Sequence, residues 1–513
     1  MKNLFTTITF LVTGMILTAQ DPGDLFIDFG TAGIFKERWP GTITEANDIG
    51  ILQDGSLVLT GYLETTMEEE EHILAMKLDD QGLPMEFGNS VYGFEYSFTG
   101  DEKAYAVQIL PDDKILIAGY YYSEGHDRPF AIRLLPDGQP DEEFGDHGVF
   151  NGEVYNMDVM DIDIYQTGDS YCVVLCGQSG DITGRMLVLN DEGEVDHAFG
   201  DHGVIDLDTE GEGTFTRIDI DSENSCLYAC AYYSEGAIIT KHRFPGGELC
   251  PDFGDDGILI YGLSEGFSGK VNTIIHDPEN NRIVLFGEYN HVEGDKDIFA
   301  YCLNADDGSP DPAFGVAGLS TLRSATSKDY LSAAIRQSDG KYYIGGYTNV
   351  AGDYDFFLGR LTTNGFADNT FGTNGLVLTD IGPREYINAI ALSPNEDVLY
   401  AAGMAEETPG DDALMVTAYH TGYHTATNIE LIPETGRCTL LFPNPSGGKV
   451  TIETGREGSY RVQVFDLAGN EYLRREFSSK RYVLDIEQLR SSVYLVKITT
   501  SGEHVSTLKL VKH

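Results

Sequence analysis

Between residues 25 and 420 short apolar runs alternate with turns, and the runs return on a steady beat. Phe-Gly stands at Phe29, Phe87, Phe144, Phe199, Phe253, Phe314 and Phe371, 54 to 61 residues apart and 57 on average. A second marker keeps the same beat, an apolar run ending in glycine at Gly61, Gly119, Gly177, Gly287, Gly346 and Gly403, with Ala231 in the fourth copy. The unit is plainest from Phe87 to Glu143. A run near Val91 comes first, then Ala104-Tyr105-Ala106-Val107-Gln108-Ile109 and the turn Pro111-Asp112-Asp113. Lys114-Ile115-Leu116-Ile117-Ala118-Gly119 follows, then a variable loop, Phe130-Ala131-Ile132-Arg133-Leu134, and the closing turn Asp137-Gly138-Gln139-Pro140-Asp141. Runs of this length bounded by Gly, Pro and Asp predict four short strands per unit.

Four antiparallel strands cannot bury both of their faces alone, so successive sheets must pack face to face around an axis. The expected fold is all-β: a seven-bladed β-propeller over residues 20–424 followed by a small C-terminal β-sandwich. Glycine in the turns Asp54-Gly55, Asp137-Gly138 and Asp339-Gly340 permits positive φ. The recurring phenylalanine is expected to bury its ring between neighbouring blades.

Composition agrees and removes several alternatives. The chain has 513 residues, 41% of them hydrophobic, with 59 Gly, 29 Tyr and 26 Phe, which suits a packed β protein better than a disordered or coiled-coil chain. A formal charge of −50 argues against nucleic acid or an anionic membrane as an electrostatic partner. Met1-Lys2-Asn3, an apolar stretch from Leu4 to Leu17 and a small-residue exit predict a signal peptide over residues 1–19, cut between Ala19 and Gln20. That stretch is too short for a membrane helix, and no transmembrane segment is expected in the mature chain.

The charge changes sign near the C-terminus. Residues 438–513 carry 11 Lys and Arg against 8 Asp and Glu, whereas residues 20–437 carry 21 against 75, and residues 425–437 read as a linker. Alternation predicts five strands in this last part, at 449–453, 460–466, 482–486, 493–499 and 504–511. Its landmarks are the start Pro443-Asn444-Pro445, Val464-Phe465-Asp466 ahead of Gly469, Leu484-Asp485-Ile486, the run from Val493 through Tyr494 to Ile498, and the ending Lys509-Leu510-Val511-Lys512. They resemble the C-terminal sorting domain of the type IX secretion system of Bacteroidota-type bacteria; Ser492 departs from the glycine usual there. The resemblance implies the type IX secretion machinery as a partner, passage across the outer membrane, removal of the domain, and a secreted or surface-attached product.

The repeat itself, through Leu110-Pro111-Asp112-Asp113-Lys114-Ile115-Leu116-Ile117-Ala118-Gly119 and the stretch from Arg133 to Gly145, resembles the delta-sixty β-propeller repeat of secreted bacterial proteins. That family is defined by its repeat and implies no activity.

No residue stands out as catalytic. Gly262-Leu263-Ser264-Glu265-Gly266 matches a nucleophile elbow only as a string, since no helical pattern follows it. His147 and His202 occupy twin turns and could share a metal, but the other copies place Ala32, Ser90, Asp256, Ala317 and Asn374 there, as an exposed turn position would. The seven cysteines suggest buried free thiols. Cys172/Cys176 and Cys226/Cys230 are four apart on strands, too far to bridge, although Cys172 and Cys226 could face each other between blades. No cofactor motif is present; calcium is the one ligand that oxygen-rich turns such as Asn190–Asp196 and Asn304–Asp311 could hold, without EF-hand spacing. Glu68-Glu69-Glu70-Glu71 reads as a solvated loop tip. The expected function is non-catalytic binding or adhesion to a surface glycan or protein through variable loops at 123–129, 290–297 and 349–355. The alternative is a polysaccharide-acting enzyme at the propeller axis. It requires titratable groups converging from different blades with shifted proton affinities.

Overall fold

The computed structural model describes residues 21–423 and 439–512, with breaks at 39–41, 66–70, 89–92, 99, 169, 181–182, 208–212, 234–235, 263–267, 291–293, 325–327, 351–352, 409–410, 443–447, 455–457, 467–470, 491 and 501–502. The chain divides into two compact units at Tyr423 and His424. The signal peptide and linker positions lie outside the described residues, as do Ser264, Pro443, Asn444, Pro445 and Gly469.

In the first unit the strands fall into groups of four antiparallel neighbours. The groups open with Thr42–Ile51, Glu102–Ile109, Met157–Thr167, Gly213–Asp221, Ser268–Asp277, Lys328–Arg336 and Arg384–Leu392. In the second group the order continues through Ile115–Ser123 and His126–Leu134 to the short edge strand Val149–Asn151. Single parallel bridges, Lys296 to Lys328 and Tyr354 to Arg384, join the last three groups. The last group takes its fourth strand from the start of the chain: Ile34–Glu37 pairs with Asp411–His420, Ile34 opposite Thr417 and Glu37 opposite Leu414.

The unit read from Phe87 straddles two groups. The run expected near Val91 appears as Phe94–Tyr96, which pairs with Glu71–Leu78 of the preceding group, Phe94 opposite Ala75. Val91 itself lies outside the described residues. In the six copies where the residues after Phe-Gly are described, one kind of turn produces such a return. Its third residue is left-handed at Ala32, His147, His202, Asp256, Ala317 and Asn374, with φ of 50 to 56°, and the glycine after it also has positive φ. Such a turn reverses the chain and lays the next few residues back on the strand just completed.

One apolar cluster joins each group to the next. Ala106, Leu116 and Ala131 of the second group meet Val173, Leu175 and Leu187 of the third, with Phe144 among them. The same kind of cluster joins the last group to the first, where Ala389, Val398 and Val416 pack with Leu57, Leu74 and Phe29. All the recurring phenylalanines are at most 5% exposed. Their expected place between neighbouring sheets is the one observed.

The glycine marker has a geometric cause. Every opening strand carries a β-bulge at the same register, between Ala46/Asp48, Ala104/Ala106, Val159/Asp161, Phe215/Arg217, Val271/Thr273, Leu331/Ala333 and Ile387/Ala389. The residue before the bulge pairs with the marker, Ala104 with Gly119 and Leu331 with Gly346, for example. A Cβ on Gly119 would run into the carbonyl oxygen of Lys103, and one on Gly346 into that of Tyr330. Here glycine serves close backbone approach rather than positive φ.

In the second unit the strands Thr439–Phe442, Lys449–Thr454 and Arg481–Asp485 form one sheet. Tyr460–Asp466, Glu471–Phe477, Ser492–Thr500 and Glu503–Lys512 form another. Val450, Ile452 and Leu484 from the first share one buried cluster with Val462, Val464, Val496 and Leu510 from the second. The sequence missed Thr439–Phe442 and Glu471–Phe477. The latter buries only Leu473 and Phe477 among charged residues, so it shows no apolar alternation.

Gly119→Ala and Gly346→Ala should each destabilise the first unit by about 1–3 kcal/mol, because the added methyl must displace backbone. Ala231→Gly, where the fourth copy already holds a methyl, should cost under about 1 kcal/mol. Urea unfolding followed by fluorescence checks both.

Candidate functional site: an acidic axial channel

The bulges turn the next residues of every opening strand toward a common cavity of about 450 Å³. Asp48, Gln108, Asp161, Asp163, Arg217, Asp219, Thr273, His276, Ala333, Arg336 and Ala389 line it, so all the opening strands contribute. Asp161 and Arg217 form an ion pair at 2.7 Å.

Each axial carboxylate accepts a backbone N–H from the next group. Asp48 Oδ2 takes Val107 N at 2.8 Å, Asp161 Oδ2 takes Ile218 N at 2.9 Å, Asp163 Oδ2 takes Ile220 N at 3.0 Å and Asp219 Oδ2 takes His276 N at 2.8 Å. The bulged asparagines reinforce these staples. Asn47 Nδ2 donates to Ala104 O and Asn272 Nδ2 to Leu331 O, both at 2.8 Å, and Asn388 Nδ2 donates at 3.0 Å to Ala46 O in the first group.

Burial of these acids alters their proton affinity. Burial raises Asp48 to about 6 against the pull of Arg217, and burial raises Asp219 to about 7 despite its bond from His276 N. Burial, with Asp219 close by, lifts Asp163 well above the carboxylate range. Asp161 holds the Arg217 guanidinium firmly charged, and burial lowers His276. Acids from three different groups thus converge with shifted affinities, as the enzymatic alternative required.

Other positions singled out in the sequence have local partners. His147 Nδ1 lies 2.6 Å from Glu142, and His202 stacks edge-on against His197 at 6.1 Å; both histidines are exposed. Among the described residues no group of three or more His, Cys, Asp or Glu could hold a metal ion. The oxygen-rich turns spend their side chains on their own backbone: Asn190 Oδ1 accepts Glu192 N and Glu194 N, and Asp307 Oδ1 accepts Ser309 N. Among the described residues six cysteines are free thiols. Cys172 contacts Asp196 at 3.8 Å and Cys226 contacts Asn224 O at 3.5 Å, in separate inter-sheet clusters. Burial raises Cys172 to about 11 and Cys230 to about 12, which keeps both protonated and unreactive. In the second unit Tyr494 is buried and donates to Arg490 O at 3.1 Å, Lys512 is buried, and Lys509 lies on the last strand.

Sequence reasoning overlooked the acid-Ile pairs Asp48-Ile49, Asp161-Ile162 and Asp219-Ile220 and the cations on the third strands. Arg133 on such a strand pairs with Asp141 at 2.7 Å and reaches Asp191 O in the next group. Arg360 pairs with Asp368 at 2.8 Å and caps Thr421 O. In these two copies the Asp of the closing motif anchors a buried cation.

Comparison with known families assigns both units. The model described as a secretion system C-terminal sorting domain matches residues 440–513. The model described as a domain of unknown function (DUF5122) beta-propeller matches residues 110–144, 279–314 and 337–371. The chain therefore carries β-propeller repeats and a type IX sorting domain, and it is secreted or attached at the outer-membrane surface. Among the described residues no helix is long and apolar enough to cross a membrane. No curated protein matches the chain. Among solved structures, Drosophila Semaphorin 2a aligns at 8% identity over 96% of this chain and 99% of its own, with a TM-score of 0.45. The polysaccharide lyase Uly1 aligns at 12% identity over 73% and 90%, with a TM-score of 0.42. An inactive virginiamycin B lyase from Staphylococcus aureus aligns at 11% over 75% and 98%, with a TM-score of 0.40.

Because Asp219 binds its proton more tightly when folded, its contribution to stability is complete below the unfolded carboxylate range and is lost as pH rises through about 7. Thermal unfolding should show the wild type losing stability from pH 5 to pH 8. Asp219→Asn, which can still accept from His276 N, should lose less over that window.

Proposed function

We infer that the first unit is a seven-bladed β-propeller closed by Ile34–Glu37, that the second is a small β-sandwich, and that the protein is a non-catalytic binding or adhesion module. Lining of one axial cavity by every opening strand supports the closed ring. The observation that carries the non-catalytic reading is the commitment of Asp48, Asp161, Asp163 and Asp219 to backbone amides of the next blade. Moving any of these carboxylates onto a substrate would unstitch two blades.

The antiparallel order sends the second-to-third and fourth-to-first connections to one rim and the first-to-second and third-to-fourth connections to the other. Loops 123–129, 290–297 and 349–355 all belong to the first set, a shared surface for a glycan or protein ligand. A polysaccharide-acting enzyme is the second reading, favoured by the raised Asp48, Asp163 and Asp219.

The test is the full chain on an array of defined glycans and extracellular proteins, alongside a turnover screen on polysaccharides. Saturable binding kept by Asp48→Asn and Asp219→Asn is expected. Polysaccharide cleavage that either substitution abolishes would overturn the non-catalytic reading.

A further inference from the structure

A cleft of about 510 Å³ opens between the first two groups of strands, within the roughly 300–1,000 Å³ range of small-molecule sites. It is lined by the edge strand carrying Tyr96, by Ser97 and Phe98 after it, and by the start of loop 123–129, together with Arg128, Asn151 and Glu153. Its chemistry is of two kinds. One is aromatic: Phe98 stacks on Tyr121 with centroids 4.3 Å apart and planes 6° apart, and Tyr96 meets Phe98 edge-on at 4.9 Å. The other is polar and mixed in sense. Tyr121 donates its hydroxyl proton to Asn151 Oδ1 at 2.6 Å, which turns the amide so that Nδ2 is its donor to a ligand. Ser97 Oγ donates to the buried Glu102 Oε1 at 2.9 Å, which leaves the serine oxygen as an acceptor. Glu124 and Glu153 add acceptors, and Arg128, fixed by a bond to Tyr155 O at 3.1 Å, adds a donor.

We propose that this cleft binds a short saccharide, with a sugar ring against the aromatic wall and its hydroxyls on Ser97, Asn151 and Glu153. A hydroxyl both gives and accepts a hydrogen bond, so a polyol uses donors and acceptors set side by side. An anion would meet Glu124 and Glu153, and a cation would meet Arg128. A wholly apolar ligand would leave these polar groups desolvated without partners. The apolar C–H face of a pyranose suits the Tyr96 and Phe98 rings, while a flexible peptide would lose more entropy on ordering in a site of this size. The proposal rests on the binding-module reading and gives it a ligand class and a position. Glu102 acts as a positioning residue: it lies 3.4 Å from His72 Nδ1, and it reaches the cleft only through Ser97.

The experiment uses the full chain with a panel of α- and β-linked gluco-, manno- and galacto-oligosaccharides of two to six units, measured by calorimetry. At least one series should bind, and Glu153→Ala and Asn151→Ala should each weaken it about tenfold, as loss of one buried polar contact does. Phe98→Ala should abolish binding and Phe98→Tyr should retain it. Glu153 and Asn151 are exposed, so unchanged melting temperatures in their variants separate lost contacts from lost folding. Saccharide binding indifferent to Glu153→Ala, Asn151→Ala and Phe98→Ala would place the ligand elsewhere and overturn this proposal while sparing the binding-module reading. So would binding of array proteins but of no oligosaccharide. Binding of nothing on either panel would overturn both.

Discussion

The β-bulge in each opening strand is the constraint on which the rest of the first unit depends. By inserting one residue at a fixed register it pushes a carbonyl against the neighbouring strand, so that a Cβ at Gly61, Gly119, Gly177, Gly287, Gly346 or Gly403 would run into it, and only the fourth copy, with Ala231, accommodates a methyl there. The bulged residue is free of the ladder, so Asn47, Asn272 and Asn388 can reach the next sheet. The bulge also resets the alternation, so the residues after it face the axis. One backbone irregularity, repeated, thus fixes the glycine marker, the stitching between sheets and the lining of the channel.

The stitching explains how so acidic a chain tolerates carboxylates at its centre. Each axial acid receives a backbone amide, Asp161 also receives Arg217, and burial raises the proton affinity of Asp163 and Asp219, which eases the cost of their charge. Further out, buried cations do the complementary work. Arg133 and Arg360 sit over the rings of Phe144 and Phe371 at 4.9 and 4.8 Å while binding Asp141 and Asp368. The closing motif thereby supplies both an acid and an aromatic face to the same guanidinium.

Much of this was legible in the sequence because it repeats. Phe-Gly and the glycine marker recur since the same steric demands recur, and they disclosed the unit, its strands and the burial of the phenylalanines. What was not legible is what the period hides. Phe94–Tyr96 and Val149–Asn151 are three residues long and belong to the sheet behind them, so the repeat in sequence is out of phase with the repeat in space. Ile34–Glu37 has no local sign that its partner lies at the far end of the unit. At the axis, Asp48, Asp161 and Asp219 read as ordinary polar positions of half-buried strands; only the register brings them to one cavity. The loop at 123–129 was singled out for its variability, but its companions Tyr96 and Phe98 come from a connection whose neighbour was not apparent.

The strand Ile34–Glu37 also sets a timetable. Ile34 must find Thr417 across almost the whole length of the unit, and the entropy of closing a loop grows with its length. The other sheets need only chain close to them in sequence, so they can assemble as they emerge, while this last pairing waits until both ends are present. Contacts of such separation form slowly. Until they do, Asp411–His420 is a bare edge able to pair with another molecule's strand. For a protein that must cross an envelope, the interval between making the sheets and latching them is when it is most exposed to misassembly.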